Sequence, residues 1–354
     1  MRKFTLLSLA LLLFIFPASA QDEETLRIGY IPIMVMEQHF VITDQGWYDE
    51  LSDFGITDVE ATRFSSGAPI VQAFAGNELD IAYVGINPAL VMASRGVPIT
   101  VVASNVTNAL TFIANDEFSA IWAETPSAEA FAIYEEQVGN KLRVATLPQG
   151  TTPDTVLRLW LNQIGATGDE IEIIPLGVDQ AQVALATGNA DASLIMEPVI
   201  SLAESQDWGF STLVTGAEIL ADQPGAVLIV RDSLIEENPD LVEKLVELHI
   251  RATIYASSDL DEAARIASEQ IGDDILSIDI ARIASEELNW ISSPYSILES
   301  TRAYNDFQVA LEVFDEPVDL DVLFDTSFYD AVIEANPDFE EALSIEGDEE
   351  ASDE

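Results

Sequence analysis

From Glu24 onward, short apolar runs alternate with longer stretches whose apolar residues recur every three or four positions. Leu26 to Ile31 reads as a strand. Met36 to Gln45 reads as a helix that stops at Gly46, a residue suited to a helix C-terminus. Asp58 to Phe64 alternates like a strand, and Ser65-Ser66-Gly67 with Pro69 opens a helix that ends at Gly76-Asn77. Asp80 to Val84 is a short buried strand, and Gly85-Ile86-Asn87-Pro88 opens the next helix. Strands follow at Ile99 to Ser104, Leu110 to Ala114, Arg143 to Leu147, Ile171 to Pro175, Ala192 to Met196 and Ala226 to Arg231. Helices are expected between them, including Asp154 to Ile164 and one starting at Gly177-Val178-Asp179. From Asn238 the pattern turns helical, with Leu241, Leu245, Leu248 and Ala252 on one face. Glu346 to Glu354 is nearly all acidic or small and reads as a frayed, disordered tail. Strands alternating with helices predict βαβ units and mostly parallel sheets, which collect ligands at the carboxyl ends of their strands.

Two segments more than a hundred positions apart share a plan. Val71 to Pro88 and Gln182 to Pro198 each read as a helix, a Gly-Asn turn, an aspartate, a short strand and a Pro-led helix start. Asp80 and Asp191 are the paired aspartates, and Asn87 and Glu197 the residues before proline. The pairing suggests two α/β lobes with related plans.

Charge narrows the partners. Asp plus Glu is 63 against 14 Lys plus Arg, for a formal net charge of −49. That disfavours nucleic acid and anionic lipid surfaces, both of which need basic protein surface. Hydrophobic residues make up 48% of the chain, too many for a disordered acidic polymer. Lysine is confined to Lys3, Lys141 and Lys244, a pattern that fits either salt-rich surroundings, where short-range screening tolerates self-repulsion, or an acidic secreted protein in ordinary medium. With no cysteine and only His39 and His249, neither a thiolate nucleophile nor a multi-histidine metal site is expected. No cofactor is expected either. Arg2 and Lys3, the apolar run Leu6 to Phe16 and Ala18-Ser19-Ala20 have the order of a secretory signal over residues 1–20. Export to the periplasm or cell surface is therefore expected, with Gln21 leading the mature chain.

If the two lobes face each other, helix N-termini at Ser65, Ser66 and Gly67, at Gly85 and Asn87, at Gln149, Gly150, Thr151 and Thr152, at Asp179 and at Glu197 point into one cleft. Free N–H groups and positive dipole ends suit an anion or another acceptor there. Arg63 stands near one of these loops, as a ligand residue or a solvent-facing strand residue. Tyr30, ending the first strand, either floors the cleft or pads the core. The Ser and Thr hydroxyls either touch ligand or cap helices, and Asn87 reads as a cap or a contact. Glu197 is an unusual residue at a helix start. Its carboxylate could hold an ammonium or N–H of a ligand, or simply face a helix dipole. His39 reads as a helix-face histidine or one that lines the cleft, and His249 as structural.

Leu26-Arg27-Ile28-Gly29-Tyr30, Arg63-Phe64-Ser65-Ser66-Gly67, Asn77 to Gly85, Gly96-Val97-Pro98-Ile99, Leu147 to Thr152, Gly188 to Ala192 with Glu197-Pro198, and Glu237 to Val242 occur in an order that resembles one family. These are the solute-binding proteins of ABC importers for taurine, alkanesulfonates, nitrate and thiamine-precursor pyrimidines. The resemblance covers roughly residues 25–255. It implies a two-lobe, periplasmic-binding-protein-like (type II) α/β fold with mixed, mostly parallel sheets, a ligand cleft between the lobes and a helical C-terminal region. Lobe one would hold residues 25–110 and 215–345, and lobe two 111–214. The later helices would pack mostly on lobe one. Asp116 to Asn140 is longer and more acidic than the family pattern. The implied site comprises Tyr30, Ser65, Ser66, Gly67, Gly85, Asn87, Gln149, Gly150, Thr151, Thr152 and Glu197. The implied function is capture of a small polar solute by lobe closure. The solute would be a sulfonate, taurine or another nitrogen- or sulfur-containing molecule, delivered by a monomer to the membrane permease and ATPase. A pyrimidine binder, or a pyrimidine-synthase-type enzyme on the same scaffold, is the alternative. No nucleophile–base pair is visible for the latter.

Overall fold

The computed structural model describes residues 24–349. The proposed signal at 1–20 lies outside them. The Pro337–Glu349 helix runs into the stretch expected as a disordered tail, and 350–354 lie beyond the described residues.

Two five-stranded sheets carry the fold. The first contains β1 (Glu24–Tyr30), β2 (Ile56–Arg63), β3 (Ile81–Gly85), β4 (Ile99–Ser104) and β11 (Ala226–Arg231). The second contains β6 (Leu110–Asn115), β7 (Leu142–Thr146), β8 (Ile171–Pro175), β9 (Ala192–Met196) and β10 (Phe210–Thr215). β5 (Val106–Thr107) and β12 (Asn289–Trp290) pair separately. The strand orders are β2-β1-β3-β11-β4 and β10-β6-β9-β7-β8. Read from the β2 and β8 edges, the sheets match. Each has three parallel strands, then an antiparallel strand, then an edge strand antiparallel to that one. The antiparallel fourth strand, β11 or β6, is in each case delivered by the chain arriving from the other lobe. Central strands β3, β9 and β11 are covered on both faces, hence their unbroken apolar runs; edge strand β2 is mostly exposed.

The internal pair has a shared physical reason. Arg27 in β1 grips Asp80 through its backbone N–H and its guanidinium, Nε to Oδ2 at 2.9 Å and Nη2 to Oδ1 at 2.5 Å. Arg143 in β7 does the same to Asp191 at 2.8 and 2.7 Å. Each aspartate enters the third parallel strand, and each guanidinium also caps the preceding turn, at Asn77 or Gly188. The left-handed residue of that turn differs from the Gly-Asn expectation. Asn77 (φ 60°) takes it in one lobe and Gly188 (φ 68°) in the other, both three positions before the aspartate, while Gly76 stays helical.

Two chain segments connect the lobes, Ser104–Leu110 and Thr215–Ala226. Asn108 N–H donates to the Gln223 carbonyl (2.8 Å), Gln223 N–H to Asn108 Oδ1 (2.9 Å), and Asn105 N–H to the Ala226 carbonyl (2.9 Å). Side chains behind them meet two more backbone acceptors. His249 Nε2 lies 2.7 Å from the Ser104 carbonyl, and Gln38 Nε2 donates to the Asn105 carbonyl at 3.0 Å. Burial holds His249 neutral, its pKa lowered to about 4 against the opposing Ser104 bond. His249 is structural, as expected.

The Asp116 to Asn140 stretch folds as two helices, Asp116–Glu124 and Glu129–Val138. Asn115 caps the first by accepting the Phe118 N–H at 2.9 Å. Trp122 packs tilted and Phe131 edge-on against Trp160, and Phe118 packs on both of them, so this segment covers the second sheet. The later helices do not keep to one lobe. Pro239–Ser258 packs on the first lobe, Ile278–Glu286 against the second lobe's Val199–Ser205, and Leu298–Ala310 against helices of both.

Candidate functional site

A cavity lies between the lobes at the carboxyl ends of β1, β3 and β9. The first lobe contributes Ile31, Ile33, Val35, Met36, Gly67, Gly85 and Pro88. Leu147, Thr151, Thr152, Pro153 and Met196 face them from the second lobe, and Ala109, Leu110, Gly225 and Ala226 from the connecting segments. Its volume is about 30 Å³, room for about two waters.

The lobes are closed on it. Asn87 N–H donates to Thr152 Oγ1 (3.3 Å), and Val178 N–H to the Ser65 carbonyl (3.4 Å). Gly85 comes so near Thr152 that a Cβ there would overlap Thr152 Oγ1. Gly177 packs closely on Ser65, where a Cβ would lie 3.3 Å from the Ser65 Cβ.

Three helices aim their N-termini here: Gly67–Ala75 and Ile86–Ser94 from the first lobe, Thr152–Gln163 from the second. The N-cap side chains of the first and third, Ser66 and Thr151, form no cap bond, and the second is led by Gly85, which has no side chain; Thr151 Oγ1 donates instead to the Pro148 carbonyl at 2.7 Å. Among the described residues, the amides of Gly67 and Thr152 donate to no protein acceptor. A site with free amides and positive dipole ends, and no charged side chain in its wall, favours an anionic oxygen group beside an apolar remainder. Asp154, in the first turn of the third helix, spends its carboxylate on Arg158 Nε (3.0 Å).

Of the residues expected from sequence, Gly67, Gly85, Thr151 and Thr152 line the cavity. Gln149 and Gly150 border an outer groove at the cleft mouth with Arg95 and Leu311. Ser66 is buried at its helix start, and Ser65 is exposed but bonds across the lobes. Tyr30 is outside the cavity wall; its ring packs on His39 (centroids 4.5 Å apart) and edge-on to Phe40. His39 is a core residue rather than a helix-face one. It is hydrogen-bonded to the Tyr48 hydroxyl at 2.9 Å, and burial pushes its pKa down to about 3. Arg63 is exposed at the end of β2.

Asn87 and Glu197 depart most from their expected geometry. Asn87 is no cap, since Gly85 holds that position; its side chain donates across the cleft to Thr155 Oγ1. Glu197, joined to Pro198 by a cis peptide, is buried and turned back on its own helix. Its Oε2 accepts the Ser201 N–H and its Oε1 the Ser201 hydroxyl, both at 3.0 Å. Burial raises its pKa to about 7, partly countered by the two Ser201 bonds. Its neighbour Met196, not Glu197, lines the cavity. The apolar wall Ile31 to Met36 escaped the sequence reading. A buried apolar run in the loop after a parallel strand was the available signal.

Two matching lobes, two connections and a cleft at the strand ends define a two-lobe periplasmic-binding-protein fold. Solved structures agree. The nitrate-binding protein NrtA from Synechocystis PCC 6803 superposes with a TM-score of 0.74 at 16% identity, over 89% of each chain. The alkanesulfonate-binding protein SsuA from Xanthomonas axonopodis pv. citri, bound to MOPS, gives 0.70 at 16% identity, over 86% of this chain and 99% of that one. A sequence relative, the putative aliphatic sulfonates-binding protein of Bacillus subtilis (strain 168), is 26% identical over 294 residues, 83% of this chain and 84% of its own. Residues 19–271 match the NMT1-like family, and the chain belongs to it.

Proposed function

We propose that the protein is the extracytoplasmic solute-binding component of an ABC importer, and that its solute is a small sulfonate-type anion with an apolar remainder. The observation that carries this reading is the cavity itself: helix N-termini from both lobes meet at an otherwise apolar wall. Backbone amides would grip the oxyanion, and Met36, Met196 and Leu110 would contact the carbon chain. Taurine fits less well than an alkanesulfonate, because Glu197 is committed to Ser201 and no carboxylate meets an ammonium. Closure supplies the signal: ligand contacts from both lobes favour the shut form, which the permease engages. Among the described residues no helix is long and apolar enough to cross a membrane.

The test is a thermal-shift screen followed by calorimetry with methanesulfonate, ethanesulfonate, taurine and nitrate, with each solute assayed afterwards. The expected result is one-to-one binding, ethanesulfonate ahead of taurine, with every solute recovered intact. Catalysed loss of a solute, or no binding across the panel, overturns the proposal.

A further inference from the structure

We propose that the Thr155 hydroxyl is a closure latch, a positioning group that sets how readily the lobes shut without touching the solute. The inference rests on lobe closure as the working motion. Thr155 lies one turn into the second lobe's Thr152–Gln163 helix, is buried, and is absent from the cavity wall. Its Oγ1 accepts two amide donors that arrive from outside that lobe. One is Asn87 Nδ2, from the first turn of the first lobe's Ile86–Ser94 helix. The other is Gln308 Nε2 at 2.8 Å, from the Leu298–Ala310 helix. That helix follows Pro294–Ile297, which packs on β4 of the first lobe, and it lies beyond residues 19–271 matched to the family. All three side chains are buried in the shut form.

The energetic sense is directional. In the open form water can serve both amides. In the shut form only Thr155 does, and a buried donor left unmet carries the full desolvation penalty. Removing the hydroxyl therefore penalises the shut state selectively. Apparent affinity falls with the shut fraction, because only that fraction completes the site. The C-terminal helices thus take part in closure through Gln308.

The chain has no cysteine, so Val183→Cys with Val322→Cys places one dye on each lobe at exposed positions. Single-molecule energy transfer without solute then reads the shut-to-open ratio. Thr155→Val should lower that ratio about tenfold or more. Thr155→Ser should restore it, and Gln308→Leu should give a partial loss. Ethanesulfonate affinity, measured in parallel, should fall in proportion to the shut fraction that each ratio gives. A wild-type chain with no shut population, or a Thr155→Val chain that melts earlier yet keeps the wild-type ratio, overturns the latch. If no sulfonate binds the wild type, the solute reading fails while the ratios still decide the latch.

Discussion

Gly85→Ala tests the closed geometry at one atom. Gly85 has φ −62° and ψ 152°, ordinary extended backbone, so alanine fits the open lobe without strain. In the shut form its Cβ would overlap Thr152 Oγ1 and lie 3.3 Å from Thr152 Cβ. Overpacking of this kind costs about 1–3 kcal/mol. Because the clash exists only when the lobes meet, the whole cost falls on closure, and affinity should drop about 5- to 150-fold. Calorimetry with ethanesulfonate measures the drop, and a melting curve without solute checks that the fold is intact. Adding Thr152→Ala to Gly85→Ala removes the clashing oxygen and should recover most of the loss relative to Thr152→Ala alone. Wild-type affinity in Gly85→Ala would refute the reasoning, as would a double variant no better than the single.

Three further outcomes follow from the structure. Glu197 has a folded pKa raised from 4.5 to about 7, so its contribution to stability is present below pH 4.5 and lost as pH rises through 7. Glu197→Gln, which keeps an acceptor for the Ser201 N–H, should gain about 3 kcal/mol relative to wild type between pH 4 and 8 in urea titrations; a pH-independent difference counts against the raised pKa. Asp80→Ala and Asp191→Ala should each cost about 1–3 kcal/mol by urea unfolding, and the double variant should lose the sum, since the two ion pairs sit in separate lobes; strong non-additivity would contradict that independence. Melting temperature should rise with sodium chloride because 63 acidic residues face 14 basic ones, and equal values in dilute and concentrated salt would refute the salt-adapted reading.

The legible part of the fold was the part set by local chemistry. Strand after strand begins and ends within a few residues of where the apolar runs and turn residues place it, because β3, β9 and β11 are buried on both faces. The repeat was visible through Asp80 and Asp191, but not its cause. The Arg27 and Arg143 partners lie some fifty positions away in sequence and meet the aspartates only in a sheet. In the site, glycines and threonines at helix starts were legible because capping chemistry restricts their type. Glu197 misled because a carboxylate two positions before a helix can serve that helix as well as a ligand. Thr155 and Gln308 were invisible, since no local pattern brings residues 153 positions apart to one oxygen.

Amide resonances of Gly67 in one lobe and Thr152 in the other can be followed by nuclear magnetic resonance as ethanesulfonate is added. Both should shift together along one saturating curve, with the Glu197 side chain unaffected by deuterated solute. Shifts confined to one lobe, or centred on Glu197 with Gly67 and Thr152 unmoved, would contradict a solute held by helix amides between two closing halves.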